Sequence, residues 1–120
     1  MNLIILHARL ATSVALFAAL AGIWGLVLYL RGGRLSGSFW GILAAGELLF
    51  IAQSILGILL WMAGARPARG THLLYGAIVA LSLPAYYAFS RGRDDRRALF
   101  SYSLILFFLM AIAFRAMSTA

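Results

Sequence analysis

Four apolar runs, separated only by short basic or glycine-rich turns, leave this chain little choice of fold. Each is about 18 residues or longer, and roughly 20 residues at about 1.5 Å rise cross the hydrocarbon of a bilayer. Within lipid every backbone N–H and C=O must be paired inside its own segment, so runs of this length read as helices. Hydrophobic residues make up 64% of the 120, more apolar surface than a soluble domain of this size could hide. The sequence therefore predicts an all-α, integral membrane, up-down-up-down four-helix bundle. Its helices are expected at about 3–30, 39–62, 72–89 and 98–117, in one transmembrane domain spanning 1–120.

The charged residues lie almost entirely between those runs. Ten arginines and no lysine face only Glu47, Asp94 and Asp95, for a net charge of +7. In a soluble chain such a balance would raise nucleic acid as a partner. Here the arginines flank apolar helices, so they read as topology signals and contacts to the lipid bilayer, with no nucleic acid. Arg31, Arg34, Arg91, Arg93, Arg96 and Arg97 would share one membrane face; Arg9, Arg66, Arg69 and Arg115 would share the other. Six against four places the first face in the cytoplasm and both termini on the extracytoplasmic side of what is expected to be a prokaryotic inner membrane. The N-terminus lacks a basic residue ahead of its apolar run, and that run is longer than the core of a cleavable signal, so it reads as a retained first helix. With no cysteine, thiolate metal sites, iron–sulfur clusters and covalent haem attachment are excluded.

Along helix 1, Ala11, Ala15, Ala18, Gly22 and Gly25 form a small-residue stripe that lets a neighbouring backbone come close. Helix 2 follows Ser36-Gly37-Ser38, a plausible cap. It carries Gly46, Gln53 and Gly57 on one face, and Glu47, Ser54 and Trp61 on another. Trp40 and Trp61 bracket it as an aromatic belt would. Thr71 is the expected N-cap of helix 3, Pro84 its expected kink, and Asp94 or Asp95 the cap of helix 4.

Only two histidines occur, and the topology brings them to one face. His7 opens helix 1 and His72 opens helix 3, which are diagonal partners in a simple bundle. Two imidazoles at one depth are what a b-type haem needs. Ala11 and Gly76, each one turn inward, leave clearance for its ring, and Arg9, Arg66, Arg69 and Arg115 lie at hand for its propionates. The N-terminal ends of helices also disfavour imidazolium, by about 0.3–1 kcal/mol, leaving the neutral, metal-binding form.

Glu47 is the only acid inside an apolar run. A charge at the bilayer centre costs about 2.5–3.5 kcal/mol on insertion scales, so it is expected to be protonated or hydrogen-bonded, with a serine of helix 4 (Ser101 or Ser103) or the turn at Ser54 as partner. Glu47 and Gln53 are the candidates for proton or quinone contact. No serine–histidine–acid set, paired carboxylates or glycine-rich phosphate loop is present, so hydrolase and nucleotide chemistry are not expected.

With His7 and His72 at the starts of helices 1 and 3 and arginines around them, the chain resembles small four-helix b-type cytochrome modules. These include the cytochrome b561-like membrane domains and one half of the haem A synthase bundle. The resemblance implies haem b with bis-histidine ligation and electron transfer with a quinone or a partner redox protein. It covers the whole chain as architecture but rests on two residues and helix parity. A second histidine pair on the opposite face, present in two-haem members, is missing. Because haem A synthase joins two such bundles, the resemblance also implies a homo-oligomer. Two other classes stay open: a non-catalytic membrane subunit of a larger respiratory or photosynthetic complex, and a small proton-coupled transporter using Glu47. Small multidrug transporters have a similar length, but their membrane glutamate lies on the first helix.

Overall fold

The computed structural model describes residues 2–120; Met1 lies outside them. Four helices account for nearly all of the chain: α1 (Leu3–Leu30), α2 (Gly37–Met62), α3 (Thr71–Ser90) and α4 (Arg96–Thr119). Each end has a local cause. The Asn2 side chain accepts from the Ile4 amide at 2.7 Å to open α1, Ser36 caps α2 through Phe39 N at 3.2 Å, and Asp95 caps α4 through Ala98 N at 2.8 Å. Asp94 is spent elsewhere, on Arg34 and on the Leu35 amide. Gly32 and Gly64 take left-handed φ of 83° and 93° just past α1 and α2, the conformation that ends a helix most cheaply at glycine.

Thr71 does not cap α3. It is the first helical residue, preceded by Gly70 with no side-chain cap. The donors a cap would have served are taken by tight backbone bonds, His72 N to Arg69 O and Leu73 N to Gly70 O, both 3.1 Å. The helix runs unbroken through Pro84 and ends at Arg91 and Gly92, both left-handed.

Each helix packs against its chain neighbours, and α4 closes back on α1; the pairs α1/α3 and α2/α4 are the diagonals. The 1–2 and 3–4 turns meet at one end through Leu35 N to Asp94 O at 3.0 Å. At the other end, Arg69 N bonds Thr119 O at 3.2 Å. Consecutive helices therefore run antiparallel. The most extensive interface is α1/α4, and the small-residue stripe of α1 builds it. Ala15, Ala18, Gly22 and Gly25 are buried, Gly22 beneath Phe107 and Gly25 beneath Ser103 and Phe39. Phe39, Phe50, Leu99, Leu106 and Leu109 complete a fully buried core.

The outside of this 48 × 23 × 22 Å rod is apolar. Leu20, Leu48, Ile58, Leu81 and Phe108 are among its exposed residues. All four helices are long and apolar enough to cross a membrane. Trp61 is exposed at the end of α2, and Trp40 in the first turn also packs inward. It is half-buried, edge-on to Tyr87 (5.7 Å between ring centroids) and Tyr102 (5.6 Å). Rings from α2, α3 and α4 thus meet edge to face there, with Tyr102 buried and Tyr87 still exposed.

Candidate functional site

The two histidines meet. Their ring centroids are 6.1 Å apart with planes at 77°, although α1 and α3 do not otherwise pack together. Both side chains are partly buried. His72 is anchored: its Nδ1 lies 2.9 Å from the Ala116 carbonyl and 3.2 Å from Thr119 Oγ1. A carbonyl at Nδ1 selects the tautomer with the proton there and leaves Nε2 as the lone-pair nitrogen. His7 is held differently. The Gln53 amide donates to its backbone carbonyl at 2.8 Å, while its ring Nδ1 is buried without a partner. Gly57 lies against this ring; a Cβ there would sit 3.3 Å from His7 Cε1.

These residues can be tested against a haem. His7 and His72 would be the residues that hold it, one from each of two diagonal helices. Every helix brings a small residue to the pair: Ala11 one turn past His7, Gly57 under its ring, Gly76 one turn past His72, and Ala116 at the carbonyl that holds His72. A Cβ built on Gly76 would meet nothing within 4 Å. Two imidazoles at one end of the bundle, one with its Nδ1 fixed by a carbonyl, are the donor set that a haem would need. A bare metal ion is less well served, because no group of three or more histidine, cysteine or acidic side chains occurs among the described residues.

The four arginines of this end differ in readiness. Arg66 is turned away, donating to the Trp61 carbonyl at 2.6 Å with its guanidinium 4.3 Å over the Trp61 ring. Arg9, Arg69 and Arg115 are exposed, and their side chains enter no ion pair among the described residues.

Glu47 lies elsewhere, about 15 Å along α2 from Gly57 at 1.5 Å per residue. It faces α3 and α4 across a cleft of about 240 Å³, whose wall also includes Trp40, Leu43, Leu83, Pro84, Tyr87 and Tyr102. Both carboxyl oxygens are buried with no hydrogen-bond partner. Of the expected partners, Ser103 donates to Leu99 O at 2.9 Å and Ser54 to Gly76 O at 3.1 Å, and Ser101 does not reach the carboxyl either. The Tyr102 hydroxyl is likewise buried and unpartnered. Glu47 and Gln53 do not share a site, since Gln53 faces α1. The aromatic wall around Glu47 escapes a reading of the sequence, which treats terminal Trp and Tyr as belt residues. The one available signal is that Trp40 precedes Glu47 by seven residues, hence on its face.

No family model matches the chain, and neither the curated proteins nor the solved structures give a match.

Proposed function

We propose that this protein is an integral membrane four-helix bundle of a prokaryotic inner membrane, with its termini extracytoplasmic, that holds a b-type haem between His7 and His72. It would exchange electrons with a quinone or a partner redox protein. The observation that carries this reading is the imidazole pair: rings from two diagonal helices 6.1 Å apart, one already fixed through Nδ1 by a backbone carbonyl.

When bound, haem supplies one-electron chemistry. The chain's own residues set the conditions. The Ala116 carbonyl orients His72 and raises its basicity as a ligand. Gly57 lets the His7 ring lie against α2, and a Cβ built on Gly76 would meet nothing within 4 Å. Arg9, Arg69 and Arg115 have guanidinium groups free for propionates; Arg66 would first have to leave Trp61. The Gln53 amide nitrogen is occupied by the His7 carbonyl, which leaves Glu47 as the better placed of the two for a proton or quinone.

The test is an optical spectrum of protein purified from haem-replete cells. A reduced b-type band is expected, lost in His7→Ala and in His72→Ala while helical circular dichroism persists. Gly76→Leu should lower haem occupancy severalfold without unfolding the bundle. A folded, colourless wild-type protein would exclude this function.

A second reading is favoured by the Glu47 cleft, where a carboxyl with no internal partner sits in an apolar wall. There Glu47 would be the proton site of a small transporter. Proton-coupled uptake into vesicles, abolished by Glu47→Gln, is its signature.

A further inference from the structure

We propose that the cavity where α3 gives way to the turn before α4 binds the phosphate of an anionic phospholipid, held by Arg91 and Arg93. This rests on the bundle lying in a membrane, as read above, and does not depend on haem or on Glu47.

The cavity measures about 430 Å³ and is lined by Tyr86, Phe89, Ser90, Arg91 and Arg93. The backbone brings the two arginines to it. Arg91 and Gly92 are both left-handed, with φ of 55° and 71°, so the chain doubles back at the end of α3 and Arg93 lines the same space as Arg91. Left-handed backbone favours glycine, and the turn itself has no use for an arginine side chain at position 91.

The arginines of this end are not equally free. Arg34 is paired with Asp94 at 3.2 Å, and Arg96 donates to the Tyr29 carbonyl at 2.6 Å with its guanidinium over the Tyr29 ring. The Arg91 guanidinium enters no ion pair among the described residues. Arg93 has a contact of 3.6 Å with Asp95, half-exposed on both sides. Such a pair holds weakly, whereas guanidinium and phosphate form two parallel charge-assisted bonds. Asp95 keeps its other oxygen on the Ala98 amide at 2.8 Å, as the cap of α4. Among the described residues no acid lines the cavity. Two guanidinium groups without a lining acid attract a phosphodiester and repel the ammonium of a zwitterionic headgroup.

The surface beside the cavity makes the ligand a lipid rather than a free phosphate. Phe89 is 84% exposed, the highest value among the large hydrophobic side chains described. Ala85 and Leu81 precede it at steps of four and are exposed as well. Together they form an apolar track of about 12 Å along α3, at about 1.5 Å per residue, leading from the cavity towards the middle of the bundle. A headgroup in the cavity would lay an acyl chain on that track. Tyr86 is tilted against Phe89, with ring centroids 6.3 Å apart, and edge-on to Tyr102 at 4.7 Å. It brings a phenol to the level where polar head meets chain, the place amphipathic rings favour.

The experiment uses the full-length protein in detergent, with palmitoyl-oleoyl phosphatidylglycerol and the phosphatidylcholine of the same chains as probes. Native mass spectrometry counts the lipids retained. Expected are about one phosphatidylglycerol per chain, kept at least about tenfold more tightly than phosphatidylcholine, and a preference that falls as salt rises. Arg91→Gly should weaken that binding about fivefold or more while thermal stability in phosphatidylcholine is kept or raised, since glycine suits the left-handed backbone. Arg93→Gln should weaken it to a similar extent. Arg31→Gln removes one charge at the same end but outside the cavity, and should bind as wild type; so should His7→Ala. Soluble glycerophosphoglycerol and inorganic phosphate should not displace the lipid. Equal retention of the two lipids, equal losses in Arg31→Gln and Arg91→Gly, or displacement by inorganic phosphate overturns the proposal. A chain that does not float with phosphatidylcholine vesicles overturns the membrane reading and this proposal with it. One that floats without preferring phosphatidylglycerol overturns this proposal alone.

Discussion

Gln53 uses one end of its amide and leaves the other idle. Its nitrogen donates across the α1/α2 interface to the His7 carbonyl, while its Oε1 is buried without a partner. Interhelical hydrogen bonds of this kind contribute about 0.6 kcal/mol on average in a membrane bundle. Gln53→Leu, which also removes the idle oxygen, should therefore shift the unfolding midpoint in detergent only slightly, by less than about 1 kcal/mol. A larger loss would mean that Gln53 positions His7 rather than merely tying two backbones together. At this scale the sequence is informative about side chains and silent about the backbone. Helix parity puts His7 and His72 at one end of the bundle, but that their rings meet depends on how α1 and α3 are rotated, which the runs do not specify. The Ala116 carbonyl that orients His72 has no signature in the residue types, because every residue carries one. The same applies to Glu47: its isolation is legible as a lone acid, but its aromatic wall is assembled from three helices whose rotation no single run of sequence specifies.

Helices, by contrast, are nearly transparent to the sequence, because bilayer-length apolar runs bounded by glycine and arginine have few alternatives. What the runs conceal is which helix each face meets. The small-residue stripe of α1 announces a close approach, and only the structure shows that α4 takes most of it while Phe39 of α2 shares Gly25. Two glycine substitutions separate packing from helix propensity. At Gly25 an added Cβ would sit 2.8 Å from Phe39 Cζ and crowd the Ser103 hydroxyl as well. Gly25→Ala should therefore destabilise by about 1–3 kcal/mol through overpacking. At Gly41 nothing lies within 4 Å, so Gly41→Ala should be neutral or stabilising by up to about 1 kcal/mol. Unfolding midpoints in mixed micelles should move in opposite directions, and a shared loss would contradict the assigned interface.

Across the whole molecule the positive charge is lopsided, with six arginines in or beside the turns that join α1 to α2 and α3 to α4, and four at the other end. If the richer end stays in the cytoplasm, alkaline phosphatase fused after Ala120 should be active and green fluorescent protein there should be dark. The reverse pattern would invert the proposed orientation. The exposed Arg34–Asp94 pair at 3.2 Å adds little to stability, and the Leu35 N–Asp94 O bond beside it does more to define how the two turns meet. The closure of the rod by α1 and α4 also has a bearing on how the molecule is made. Synthesis proceeds from the N-terminus, so α1 has to wait for α4 before its most extensive contact can form. Until translation reaches α4, the glycine-lined flank of α1 stands open to its surroundings and to other nascent chains. Assembly is thus timed by the ribosome, and a stalled or shortened product would present quality-control proteases with that unpaired flank.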